Sequence, residues 1–170
     1  NEYFKDSKFL LLIGLLMYLI VFSSWIIVSY QLPVYIIPIA MFSILLTVLL
    51  DTTVSLISST ILILLVSLLI GNDLDFAIIQ FFISFIAILG VRKLRKRRQI
   101  ITTMLTLVLC SLFVFFSVML FKGIDFLDYN YSTVGYLALS SFLCPILAFG
   151  LVPLFESFFG ITTDLSLIEL

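Results

Sequence analysis

The chain has 170 residues, 63% of them hydrophobic and 11% charged, with a formal net charge of −1 and no histidine. A soluble domain is roughly half apolar and about a quarter charged, so a soluble globular fold is excluded, and with a mean hydropathy of +1.33 the chain is an integral membrane protein. The lack of histidine removes the commonest metal ligand and the commonest acid–base residue at neutral pH.

In chain order, six apolar runs approach the roughly 20 residues that a hydrocarbon core of about 30 Å asks of a helix: 9–30, 34–50, 53–70, 74–91, 99–121 and 134–152. They predict an all-α integral membrane fold, a polytopic bundle of six transmembrane helices over 9–152. The chain starts at Asn1 with no charged n-region and cleavage site ahead of the first run, so 1–8 is taken as a cytoplasmic lead-in within a longer protein. Gln31-Leu32-Pro33 breaks the first run and starts the second with a proline, which a first helical turn tolerates. Asp51-Thr52 makes a tight reversal, Gly71-Asn72-Asp73 is a turn signal, and a hydrophilic loop at 122–133 separates the last two runs.

The basic residues set an orientation. Arg92, Lys93, Arg95, Lys96, Arg97 and Arg98 share one short loop, which the positive-inside rule keeps in the cytoplasm. Counting helices from it puts Lys5 and Lys8 inside as well and Lys122 alone outside, eight of the nine basic residues on one side, with both termini cytoplasmic. Trp25, Tyr30 and Tyr35 then gather at the outer interface. The loop is read as a topology determinant that meets anionic headgroups, with a nucleotide or regulatory phospholipid site as the alternative. No aromatic residue interleaves its six cations, so a nucleic-acid partner is not expected.

Ion-coupled transport places ionisable groups inside the bilayer. None occurs within 9–50, 52–70, 76–91, 99–121 or 134–155, which argues against pumping but not against carrying a neutral solute. The small and hydroxyl residues form stripes at helical spacing: Thr52, Ser55 and Ser59; Ala77, Gln80, Ser84 and Ala87; Thr103, Thr106, Cys110 and Ser117; Ala138, Ser141, Pro145 and Ala148. Two readings stand, close helix packing and a ligand cavity between the faces. For the second, Gln80 with Ser84 on its face is the candidate intramembrane polar site. Pro145 should kink the last helix, as a matter of shape or as a signalling hinge. Cys110 and Cys144 are read as packing residues rather than a disulfide. No metal-ligand spacing, nucleophile–base pair or phosphate loop is present, so catalytic, cofactor-binding and metal residues are expected to be absent from this chain.

The last 20 residues do not look like an ending. Pro153 removes a backbone donor where the helix leaves the membrane, Phe155, Phe158 and Phe159 suit the interface, and Glu156 can face the cytoplasm. Gly160 is suited to ending a helix, and Thr162 or Thr163 to capping the next, with Asp164 in its first turn. Residues 153–170 are therefore taken as a juxtamembrane coupler, with a passive tether as the plainer alternative.

The stretch from Gly150 to Leu170 resembles the junction in membrane-anchored HD phosphohydrolases of the PgpH type, bacterial seven-transmembrane receptors with an intracellular HD domain. Their last membrane helix ends in Gly-x-x-Pro-x-x-Glu, matched by Gly150, Pro153 and Glu156. A Phe-Gly-Ile-Thr-Thr-Asp stretch follows, matched by Phe159 to Asp164, and then a Leu-x-x-Leu-Glu-Leu-like segment, matched by Leu165 to Leu170 with Ile168 as a variation. The proline-containing segment from Tyr35 to Asp51 and the basic loop 92–98 also have counterparts.

The resemblance implies that this chain holds helices two to seven of the seven, as the membrane anchor and signal-transmitting domain between an extracellular sensor and a cytoplasmic HD hydrolase beyond Leu170. The parent activity it implies is hydrolysis of cyclic di-AMP to the linear dinucleotide at a site with two divalent metal ions, none of whose ligands lies here. Partners implied are the lipid bilayer and the protein's own extracellular and HD domains. A homo-oligomer is compatible, and the location is the bacterial cell membrane, multi-pass. Candidate coupling residues are Pro145, Pro153, Glu156 and Gly160. Rival readings are a six-helix substrate-binding subunit of a vitamin-type transporter and an anchor without signalling content.

Overall fold

The computed structural model describes residues 2–92, 98–128 and 130–161. Six α-helices account for most of them: α1 (Glu2–Ser29), α2 (Ile39–Leu49), α3 (Thr52–Ile70), α4 (Leu74–Val91), α5 (Arg98–Phe121) and α6 (Tyr131–Phe159), with short 3-10 turns at Val34–Ile36 and Phe126–Asp128. No strand occurs among the described residues, and the fold is an all-α membrane bundle. Five helices are long and apolar enough to cross a bilayer, every one but α2. Of the basic loop, Arg92 caps α4 and Arg98 opens α5, while 93–97 lie outside the described residues.

The connections follow from local chemistry. Asp51, Asp73 and Asn130 each sit at a helix start and accept a backbone N–H from Thr53, Phe76 and Ser132 respectively. Gly71 ends α3 in the left-handed region, at φ 111°, where its N–H and that of Asn72 close on the carbonyls of Leu68 and Ser67. The lead-in is helical too, since α1 begins at Glu2.

The second apolar run is not one helix. Pro33 precedes a single turn at Val34–Ile36, Ile37 is extended (ψ 122°), and Pro38 stands before α2. A residue ahead of proline is pushed out of the α region, so Pro38 splits the run where a continuous helix over 34–50 was expected. The remaining 11 residues reach only about 16 Å, roughly half the hydrocarbon core. Nine of those residues are buried. The split also removes Tyr35 from the interfacial belt: Trp25 and Tyr30 are exposed as expected, but Tyr35 is buried, its ring 5.8 Å from that of Phe76 and 5.9 Å from that of Phe115.

Helix α2 is the core of the bundle. The five long helices form an arc in the order α1, α3, α4, α5, α6, and α2 packs on the inside against α3, α4 and α6. Its side chains Phe42, Ile44, Leu45 and Leu46 are fully buried. Its partner α3 is antiparallel and bonded to it by hydroxyls. Ser43 Oγ lies 2.8 Å from Ser59 Oγ, Thr47 donates to Ser55 Oγ at 2.8 Å, and Ser55 donates to the Ser43 carbonyl at 2.7 Å. Small side chains admit this close approach, and in lipid such bonds have no water to compete with.

Candidate functional site

Two places in this frame carry the residues singled out in the sequence: the contact of α6 with α2, leading to the end of α6, and the faces of α4.

Helix α6 buries Leu137, Ser141, Cys144, Pro145, Ala148 and Val152. Their spacing of three and four draws one stripe along the helix. Ser141, Pro145 and Ala148 of the expected stripe are on it, with Ala138 half-buried at its side. Cys144 Sγ lies against the Met41 backbone of α2 and 3.7 Å from Ser140 Oγ. Pro145 therefore sits in the α2–α6 seam, where its ring nitrogen leaves the Ser141 carbonyl without the usual helical donor. Cys110 and Cys144 are both free thiols.

The helix of the last apolar run does not end with that run at residue 152: it continues unbroken to Phe159, with Pro145 and Pro153 both inside it. Pro153 costs one hydrogen bond, but Phe155 and Phe159, packed against the core and stacked at 6.4 Å, carry the helix one turn further. The break falls at Gly160, with φ 64°. Its N–H and that of Ile161 both reach the Glu156 carbonyl, so Glu156 contributes its backbone to the helix stop. Thr162, Thr163 and Asp164 lie outside the described residues, as does 165–170.

The candidate polar site on α4 is buried and tight. Gln80 and Ser84 are on the inner face, 3% and 2% exposed, with Ala87 below them. Ser84 Oγ has no hydrogen-bond partner, and it borders a void of about 10 Å³ shared with Ser59 and Thr60 of α3. That is scarcely room for one water. Gln80 does not line this void. The two residues are brought to one face, but not to a cavity that holds a solute.

Space opens on the other side of α4. The expected stripe on α5 is split: Thr103 is buried and Cys110 half-buried, but Thr106 and Ser117 are exposed, and the buried face is Thr103, Leu107, Ser111 and Phe115. Each exposed hydroxyl is satisfied by its own helix, Thr106 donating to the Thr102 carbonyl and Ser117 to that of Phe113, both at 2.7 Å. A serine or threonine that bonds back to residue i−4 needs no partner across an interface. These residues flank a cleft between α4 and α5 instead. At one end, Gly90 lets Thr103 approach, and its carbonyl accepts from Thr103 Oγ1 at 3.3 Å. A Cβ at Gly90 would lie 2.9 Å from Thr103 Cγ2. There Gln99, Thr102 and Thr106 surround a polar pocket of about 250 Å³.

Toward the other end the cleft widens to a groove of about 740 Å³, walled by Ile78, Phe82, Phe113 and Val114, with Cys110 and Ser117 on its α5 side. An ion pair closes its mouth, Lys122 to Asp75. The Lys122 ammonium is held above its usual range by the hydrogen bond to Asp75, which desolvation offsets in part and the charges of Asp75 and Asp73 reinforce. Counting charges by side had left this pair unseen. The signal for it was an acid in the first turn of one helix and a base just past the end of its antiparallel neighbour.

Among the described residues, no group of His, Cys, Asp or Glu is placed to hold a metal ion. What the described residues offer is a packed α2–α6 contact, a sharp helix stop at Gly160 and an open apolar groove between α4 and α5. A family model described as the 7TM receptor with intracellular HD hydrolase matches residues 1–163. Neither a curated protein nor a solved structure gives a match. The match takes in all six helices, from the start of α1 to the stop at Gly160. The chain is a multi-pass membrane domain, and it belongs to the family of 7TM receptors with an intracellular HD hydrolase.

Proposed function

We propose that this chain is the membrane anchor and signal transmitter of a bacterial cyclic-di-AMP phosphodiesterase, carrying the state of an extracellular sensor to a cytoplasmic HD hydrolase with two metal ions. The observation that supports it best is α6. At 29 residues and about 1.5 Å each it is some 43 Å long, against a hydrocarbon core of about 30 Å. A continuous helix of that length extends past the apolar layer, so a shift or rotation set inside the bilayer reaches its end undamped. Pro145 seats the helix on α2, the part of the bundle least able to move alone, and Gly160 ends it sharply. Rigid elements with two seatings are the usual carriers of such shifts. The coupling residues are then Pro145, Pro153, Glu156 and Gly160, each in a stated place: seam, interior, stop and break.

The orientation belongs to the same proposal. With eight of nine basic residues on one side, both termini and loop 92–98 are cytoplasmic and loop 122–133 is outside. Cysteines introduced by Asn130→Cys and Gln99→Cys test it: an impermeant thiol reagent should label the first and not the second in intact cells. The reverse pattern contradicts the orientation. For the activity, full-length protein in membranes with divalent metal should convert cyclic di-AMP to the linear dinucleotide faster than it converts other cyclic dinucleotides. Equal or slower turnover of cyclic di-AMP overturns that specificity.

A further inference from the structure

We infer that the groove between α4 and α5 is a binding site for one phospholipid bearing a zwitterionic, primary-ammonium headgroup. Three features lead there: length, width and charge.

From Asp75 to Ile86 the groove follows 12 residues of α4, a rise of about 16 Å, which is close to the thickness of one leaflet of a core of about 30 Å. Its walls over that length are apolar, and its 740 Å³ lies in the range of roughly 300–1,000 Å³ typical of small-molecule sites. A transmembrane helix, about 10 Å across, fills about 1,250 Å³ over the same distance and would rest on the rim. Flexible acyl chains enter the groove itself. The hydroxyls that would have demanded a polar occupant are silent, because Ser117 is already bonded to Phe113.

The headgroup follows from the mouth. Lys122 and Asp75 stand there as an ion pair that keeps solvent access on both sides, and both line the groove. A purely anionic headgroup would meet the Asp75 carboxylate, and a purely cationic one would meet Lys122. A zwitterion meets both, its phosphate at Lys122 and its ammonium at Asp75. A primary ammonium offers N–H donors to the Asp75 carboxylate, which a quaternary one lacks.

The test uses the intact chain in nanodiscs of phosphatidylethanolamine, phosphatidylcholine and phosphatidylglycerol in equal parts, released gently for native mass spectrometry. One phosphatidylethanolamine should be retained in preference to the other two. Asp75→Asn and Lys122→Ala should each lower its retention by roughly threefold to fivefold, the scale of one exposed charge contact. Exposed Phe113 gives a second reading that needs no charge variant. With Trp25→Phe and Phe113→Trp, chain-brominated phosphatidylethanolamine should quench the indole more than equally brominated phosphatidylglycerol. Equal retention and equal quenching across the three headgroups, or a second protein chain retained in place of lipid, overturns the assignment.

Discussion

The α2–α3 seam and the α4–α5 cleft are built from similar parts and end up as opposites. Each joins neighbouring helices with hydroxyls at helical spacing. In the first, the hydroxyls cross the interface, Ser43 to Ser59 and Thr47 to Ser55, and the seam is closed. In the second, only Thr103 crosses, to the Gly90 carbonyl, while Thr106 and Ser117 bond back to Thr102 and Phe113 and border open space. The difference lies in where the chain forces contact. Pro38 and Asp51 confine α2 to 11 residues, nine of them buried, on the inside of the bundle, whereas α5 packs on α4 along the arc and leaves the side that carries Phe113 and Ser117 open. A polar stripe in a membrane helix is therefore not by itself an interface.

Substitutions can break this contrast. The largest effect should come from Ser43→Leu, which overfills a closed seam and strands the hydroxyl of Ser59. A loss of about 1–3 kcal/mol is expected in thermal or denaturant unfolding in detergent. Ser117→Leu, at the open cleft, should change the same measurement by no more than about 0.5 kcal/mol. Ser84→Leu and Thr106→Leu repeat the test within one pair of helices: the first enters a void of about 10 Å³ and should cost about 1–3 kcal/mol, and the second should be near neutral. If the two cost alike, the faces of α4 and α5 are misassigned. Gly90→Ala should cost about 1 kcal/mol or more, since the new methyl meets Thr103 at 2.9 Å and that side chain is held by Gln99 and Gly90.

Smaller effects sharpen the comparison. A double-mutant cycle on Ser43→Ala and Ser59→Ala should return about 0.6 kcal/mol of coupling, the mean for hydrogen bonds between membrane helices. The same cycle on Thr106 and Ser117 should return none. Smallest is the pH response of the Lys122–Asp75 pair. Because the folded state raises Lys122, the contribution of the pair is fully present below the ordinary lysine value of 10.5 and is lost as pH rises through the folded one. Unfolding midpoints should thus fall on alkalinisation above that value in the wild type, and less in Lys122→Ala.

Much of this architecture could be read before any coordinates. Six apolar runs gave the fold class, and Asp51 and Asp73 stood where helix starts need an acceptor. Less legible was which side of each helix faces inward. In a soluble helix the apolar stripe answers that, but here lipid and core are both apolar, and only small or polar residues mark a face. On α4 that mark points inward, with Gln80, Ser84 and Ala87 all buried; on α5 it does so at Thr103 but not at Thr106 and Ser117, which are exposed and bonded to their own helix. Pro33 was weighed as the start of the second helix and Pro38, five residues on, was passed over, which hid both the shortness of α2 and the burial of Tyr35. The sixth apolar run stops at 152, but its helix runs on through Pro153, where packing of Phe155 and Phe159 outweighs one missing hydrogen bond, and stops at Gly160, the residue suited to ending it. The groove had no signature in composition, since its walls are apolar residues of the same kinds that face outward elsewhere on the bundle.

The central claim is that α6 transmits, and helix phase tests it most directly. In the full-length protein, one, two, three or four alanines inserted between Phe159 and Gly160 turn the hydrolase by about 100° per residue, returning nearly to phase at the fourth. If α6 couples the membrane to the hydrolase, membrane-bound dinucleotide hydrolysis should change with one and two insertions and recover toward the wild type with four, while the detached soluble domain keeps a constant rate. Activity that stays at the wild-type level through all four insertions would contradict transmission and leave α6 a tether.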